Sequence, residues 1–191
     1  ISKFMLKNNY PCKVMGIPKT IDNDLIGTDH CPGFGSAAKY IATSVMEVYQ
    51  DARVYDTGMV AIIEAMGRNA GWLTASAALA SYKGTGPDLI YLPEVPFDMN
   101  NFLNDVQEVY DKNSKCIVVV SEGIRDKNGR YISEYGSDMS QSKDSFGHAQ
   151  LGGLAAYLAD EAKKKTGAKV RGIELSLLQR CAAHCASQTD I

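Results

Sequence analysis

The sequence predicts an α/β protein: a mostly parallel sheet in three layers, with helices on both faces. Three observations carry this. Short apolar, β-branched runs alternate with helix-like segments at spacings that suit right-handed strand–helix–strand units. Residues 116–120 (Cys-Ile-Val-Val-Val) are apolar throughout, as a strand covered on both faces is, instead of alternating. The chemically rich residues follow directly after the predicted strands, and in such sheets ligands bind outside the carboxyl ends of the strands.

Taken in order, residues 1–9 read as the end of a helix, and residues 13–16 as a short buried strand. Between Gly35 and Arg53, the residues Ala38, Ile41, Ala42, Val45, Met46, Val48 and Tyr49 recur at helical spacing. Residues 59–64 form a buried strand, and the alanine-rich 72–82 a helix. A strand over 89–92 stops at Pro93; an amphipathic helix over 101–112 leads to the strand at 116–120. The polar stretch 125–147 is expected as a surface excursion. A helix over 151–165 ends at Gly167, which can take the left-handed cap conformation, and 170–175 is the last strand.

Composition narrows the function. A chain of 191 residues, 45% hydrophobic, can bury a real core, and its net charge of −2 with no basic tract gives no nucleic-acid surface. No apolar stretch approaches the roughly 20 residues of a membrane span, and the opening lacks the layout of a secretory leader. Five scattered cysteines read as reduced thiols of a cytoplasmic protein. Cys181, His184 and Cys185 could approach one another, but no second ligand pair sits at finger-like spacing; small residues at a helix start are the preferred reading. Opening on the end of a helix and stopping without a tail, the chain reads as a piece of a longer protein.

The richest run is Gly16-Ile17-Pro18-Lys19-Thr20-Ile21-Asp22-Asn23-Asp24. One carboxylate can take a proton from an alcohol, the other can help hold Mg2+ on a phosphate donor, and a lysine can neutralise the transferring group. The plainer alternative is a turn, since Asp and Asn side chains bond the nearby backbone.

This run resembles the catalytic loop of the phosphofructokinases, with its TIDND core. Further segments resemble that family in the same order: Met66-Gly67-Arg68, Pro93-Glu94-Val95-Pro96, Ser121-Glu122-Gly123 and Leu178-Gln179-Arg180. The resemblance covers nearly the whole chain. It implies a two-domain protein, with residues 1–33 as the end of a phosphate-donor domain with the catalytic loop, 34–181 as a sugar-phosphate-binding domain, and 182–191 as the return to the donor domain.

It also implies roles. Asp22 would be the general base for the 1-hydroxyl of fructose 6-phosphate, a task suited to a carboxylate. Asp24 would stand near Mg2+ and the donor phosphates, and Thr20 would bond the donor. Met66, Gly67 and Arg68 would form a sugar-phosphate and transition-state segment, in which a guanidinium can fork to phosphate oxygens. Glu122 would accept bonds from sugar hydroxyls. Arg171 and Arg180 would bind the 6-phosphate, Arg171 reaching over from a neighbouring subunit, so that the partners include further copies in a homodimer or homotetramer. The plainer readings are a helix cap for Asp24, a local backbone bond for Thr20 and ordinary surface charges for the arginines.

Two positions depart from the family pattern. Met59 stands where many members carry a subunit-crossing basic residue, and Leu177 where they carry histidine. The segment Phe146-Gly147-His148-Ala149-Gln150-Leu151-Gly152-Gly153 resembles an FGHxQLGG stretch of a longer subgroup and is given no chemistry. Many ATP-using members have glycine just before TIDND, whereas pyrophosphate-dependent members have lysine, as Lys19 here; some ATP-using relatives share it. Lys19 and the FGHxQLGG stretch point to pyrophosphate, with ATP as the alternative. The second donor-selecting loop, GGDG or GGDD, belongs before Ile1, and residues 1–191 alone are expected to be nearly inactive.

Two rivals remain. A dinucleotide oxidoreductase would need a third glycine after Gly33-Phe34-Gly35-Ser36. A noncatalytic sugar-phosphate-binding subunit would be expected to lack Asp22, Asp24 or Arg68, all of which are present.

Overall fold

The computed structural model describes residues 1–136 and 153–191. Its elements are α1 (Ser2–Lys7), α2 (Phe34–Val54), β1 (Met59–Ala65), α3 (Trp72–Ala75), β2 (Leu89–Tyr91), α4 (Met99–Asn113), β3 (Lys115–Ser121), α5 (Ser133–Gly136), α6 (Leu154–Thr166) and β4 (Lys169–Glu174). The four strands are parallel and lie in the order β2-β3-β1-β4. Expected and observed architecture agree.

Successive residues of a strand point to opposite faces, and both faces of the central pair are apolar. Val60, Ile62, Cys116, Val118 and Val120 pack against Phe102 and Val106 of α4 and Leu154 and Leu158 of α6. Ala61, Ile63, Ala65, Ile117 and Val119 pack against Ile41 and Val45 of α2 and against Leu73, Ala77 and Ala80. Each such large side chain contributes about 1.5–3 kcal/mol of burial, before its entropy cost. Two apolar clusters on one sheet thus explain the unbroken hydrophobic runs of β1 and β3.

Register positions the site. Ala65 pairs with Ser121 at one end of the β1–β3 ladder, and Glu64 with Glu174 at the end of β1–β4. The segments that follow β1, β3 and β4 therefore leave from one edge. Tyr91 pairs with Val120, so the turn after β2 leaves there as well.

Three expectations change. Residues 13–16 are exposed coil, not a strand; no strand of the sheet lies beside them, so their backbone has no ladder and Met15 stays 89% exposed. The expected helix at 72–82 is one α-helical turn followed by a 3-10 helix, Ser76–Lys83. Ala77 and Ala80, three apart, are both buried, and positions i and i+3 eclipse in a 3-10 helix, which lays these small residues flat on the core. Within the expected excursion, Arg125 bridges Tyr131 and α5 forms; the remainder, with His148 and the expected helix start at 151, lies outside the described residues.

Candidate active site

The turn after β1 is fixed by a glycine. Gly67 has φ +128°, and a Cβ there would lie 2.5 Å from the Ala70 carbonyl oxygen. Only glycine takes this conformation cheaply. The turn brings two successive backbone N–H groups towards two carboxylates and opposes the rise of their pKa values, that of Gly67 acting on Glu122 and that of Arg68 on Asp22. Acids from two distant segments are thus held side by side.

The segment after β3 is seated directly on this turn. A Cβ on Gly123 would lie 2.0 Å from the Arg68 carbonyl oxygen, so no other residue fits. The Ser121 hydroxyl donates to the Gly67 carbonyl and accepts from the Gly123 N–H at 3.1 Å. The turn after β2 joins through Glu94, which accepts from the Gly71 N–H at 2.7 Å.

The acidic run is a shaped loop. Asn23 adopts φ +58° between the two acids; its side chain accepts from the Cys31 N–H at 2.8 Å and donates to the Asp29 carbonyl at 3.3 Å. The Thr20 hydroxyl accepts from the Asp22 N–H at 3.1 Å, which is the local backbone bond named above as its plainer reading. Ile21 packs against the apolar cluster under α2 and anchors the loop. Asp24 is exposed, as is Lys19.

Electrostatics couple these groups. Burial, then the charge of Asp24, pushes the Asp22 carboxyl up from its ordinary value; the Arg68 N–H, the Arg68 guanidinium and Lys19 oppose that rise. Burial, then the charge of Asp22, pushes Glu122 up, against Arg68 and the Gly67 N–H. Asp22, Asp24, Lys19, Gly67, Arg68 and Glu122 therefore form one cluster, three crowded acids beside two cations. Such a cluster can accept a proton on one side and hold an anion on the other.

Met66 is tied to the turn that carries Arg180 by a residue given no role above. Gln179, 2% exposed, accepts from the Met66 N–H at 3.1 Å and donates to the Ser176 carbonyl at 2.8 Å. Arg180 stands next to it, exposed, at the end of the 3-10 turn Ser176–Arg180. Glu64 was also missed. It is 3% exposed on β1 and accepts from the Ala155 N–H at 2.8 Å, and burial raises its pKa to about 7. The available signal was an acid inside an otherwise apolar strand.

Arg171 lies apart. It pairs with Ala61, well back from the carboxyl ends, and lines an open cleft with Glu47, Asp51 and Tyr55. The two departing positions differ: Met59 is buried in the core under α2, and Leu177 is 54% exposed. Cys185 is buried, Cys181 is exposed and His184 meets the Tyr40 ring edge-on; among the described residues, no three His, Cys, Asp or Glu side chains converge on a metal-sized site. Among those residues, no helix is long and apolar enough to cross a membrane.

Comparison with known proteins gives a consistent result. Residues 2–188 match the model of the family described as Phosphofructokinase. The chain is 49% identical over 196 residues to a pyrophosphate–fructose 6-phosphate 1-phosphotransferase of Xanthomonas campestris pv. campestris (strain B100), covering 100% of this chain and 45% of that protein. It is 45% identical over 194 residues to the enzyme of the same name from Methylococcus capsulatus (strain Bath), with the same coverage. The crystal structure of a pyrophosphate-dependent phosphofructokinase from Marinobacter aquaeolei superimposes with a TM-score of 0.78 at 38% identity, over 99% of this chain and 43% of that one. The chain thus spans less than half the length of the curated relatives it matches.

Proposed function

Since the chain belongs to the phosphofructokinase family, we propose that the full-length protein moves a phosphoryl group from pyrophosphate to the 1-hydroxyl of fructose 6-phosphate. The observation that carries this is the half-buried Asp22 carboxylate, set among Asp24, Lys19 and Arg68, with the Arg68 N–H and guanidinium and Lys19 favouring its charged form.

In this reading ionised Asp22 accepts the proton of the 1-hydroxyl as its oxygen attacks the terminal phosphorus. The bond to the departing phosphate breaks, leaving fructose 1,6-bisphosphate and phosphate, and the proton on Asp22 passes to solvent. The Arg68 guanidinium neutralises charge on the transferring oxygens. Glu122, its charged form favoured by the Gly67 N–H, faces the sugar hydroxyls, and Met66 carries the turn that leads to Gly67. Lys19 offsets pyrophosphate charge, and Thr20 serves by shaping the loop and bonding the donor.

Asp24 suits the Mg2+ of this family. It is an exposed hard-oxygen donor beside Asp22, and Mg2+ is commonly held by one or two carboxylates together with substrate phosphates. When bound, the ion neutralises donor phosphate charge. Arg180 belongs to the 6-phosphate site of its own chain. The distance of Arg171 from the cluster favours its service in a neighbouring copy, and hence a homo-oligomer with shared sites. On the same reading residues 34–181 form the sugar-phosphate domain, flanked by parts of the donor domain.

The test is fructose 1,6-bisphosphate formation by the full-length protein with Mg2+ and fructose 6-phosphate, pyrophosphate against ATP. Turnover with pyrophosphate is expected, and Asp22→Asn is expected to lower kcat by roughly 10²–10⁴-fold. Turnover with ATP alone overturns the donor; an Asp22→Asn variant near wild type overturns the mechanism and favours a binding subunit.

A further inference from the structure

Gln179 joins parts of the site that no backbone ladder joins. The last ladder-like contact after β4 is the Leu175 N–H to the Glu64 carbonyl, at 3.2 Å. Beyond it the chain turns through Ser176, at φ +46°, into a 3-10 turn that carries Arg180. The Gln179 amide enters the core there and uses both ends: its oxygen accepts from Met66, its nitrogen donates to Ser176. A buried amide is costly unless satisfied, and here each polar end has a backbone partner.

The link has direction. On one side Met66 precedes Gly67 and Arg68, whose N–H groups favour the charged forms of Glu122 and Asp22. On the other, Arg180 is the next residue along the turn. Neighbouring side chains of a 3-10 turn diverge by about 120°, so the buried Gln179 and the exposed Arg180 point apart. We propose that Gln179 is a positioning residue: by clamping the turn after β4 to the turn after β1, it sets Arg180 at the distance from Arg68 that a sugar phosphate requires. This rests on the sugar-phosphate reading above.

The experiment uses the full-length protein with pyrophosphate, Mg2+ and fructose 6-phosphate. Gln179→Met keeps the length of the side chain and removes both hydrogen bonds. It is expected to raise the KM for fructose 6-phosphate by roughly ten- to a hundredfold, the scale of a displacement near 1 Å, and to leave the KM for pyrophosphate within about twofold. In an Arg180→Met background the same change is expected to add little, because a positioning effect has nothing left to position. A merely structural role would instead give additive losses and move both KM values, and that result overturns the inference, as does a Gln179→Met enzyme indistinguishable from wild type. If Gln179→Met does not fold, Gln179→Glu retains the acceptor for Met66 and donates to Ser176 only when protonated. Its KM for fructose 6-phosphate, relative to wild type, should then fall as pH is lowered; a ratio that ignores pH overturns the inference. Absence of turnover in the wild type sinks the functional reading, and this one with it, whereas the variant outcomes sink this one alone.

Discussion

Two helices of this chain begin against a carboxylate supplied from elsewhere in the fold, and the two acids are driven in opposite directions. At the start of α6, Glu64 accepts from Ala155 inside the sheet–helix interface, and its pKa rises to about 7, chiefly through burial, with the charges of Glu174 and Glu122 adding to it. At the start of α2, Asp190 is also pushed up by burial. It nevertheless ends well below the carboxylate range, because it takes bonds from the Ser36 hydroxyl, the Gly33 N–H, the His30 ring and the Ser36 N–H. Both acids face the positive end of a helix. Four converging donors outweigh desolvation; in Glu64, desolvation and two neighbouring acids outweigh the Ala155 bond. Asp190 is a fixed anion that pins the end of the described chain to α2, while Glu64, raised towards neutrality, lies beneath the edge that carries the candidate site.

The largest expected effect comes from breaking the stronger cap. Asp190→Ala orphans the first-turn donors of α2 and removes the carboxylate that ties position 190 to the helix start, while the Ser187 N–H bond to Ser36 remains. A loss of roughly 2–3 kcal/mol is expected in urea unfolding of the full-length protein, with faster hydrogen exchange at Gly33 and Ser36. Unchanged stability would mean that water replaces the carboxylate without cost.

The weaker cap is tested through pH. The folded pKa of Glu64, about 7, lies above its ordinary value of 4.5, so the folded state binds the proton more tightly. Stability from that proton is full below about pH 4.5 and is lost as pH rises through about 7, a change on the order of 3 kcal/mol at most. Glu64→Gln, which can still accept from Ala155, should remove this slope and unfold at higher urea than wild type above pH 7. Parallel pH profiles for the two proteins would show that Glu64 stays charged throughout.

The same contrast explains what the sequence made legible. β1, β3, α2 and α4 lie close to the expected bounds, because unbroken apolar runs and helical spacing are local signals of burial. Arg68 and Glu122 were legible as chemistry following strands, and the acids of the TIDND run as a motif, although no strand precedes them. Residues 13–16 misled because an apolar run does not say whether a pairing partner lies beside it. The 3-10 helix over Ser76–Lys83 was hidden because alanine suits either helix and packing chose. Gln179, Glu64 and Asp190 went unseen for one reason. Their partners, Met66, Ala155 and Gly33, are 113, 91 and 157 positions away, joined by strand register and chain closure and by no local pattern.

The smallest effect sharpens the comparison most. The Ser36 hydroxyl donates to Asp190 and accepts from the Ser187 N–H at 2.9 Å, while the Ser36 and Gly33 N–H groups reach the same carboxylate on their own. Ser36→Ala removes the hydroxyl and keeps both backbone donors and the helix end. If converging donors hold Asp190 ionised, losing one should cost about 1 kcal/mol in urea unfolding and raise the Asp190 pKa while leaving it below that of an ordinary aspartate, as carboxyl carbon NMR of the full-length protein can follow. A rise to the ordinary value or beyond would mean that the hydroxyl alone offsets burial, and the difference between the two caps would then reduce to a single side chain.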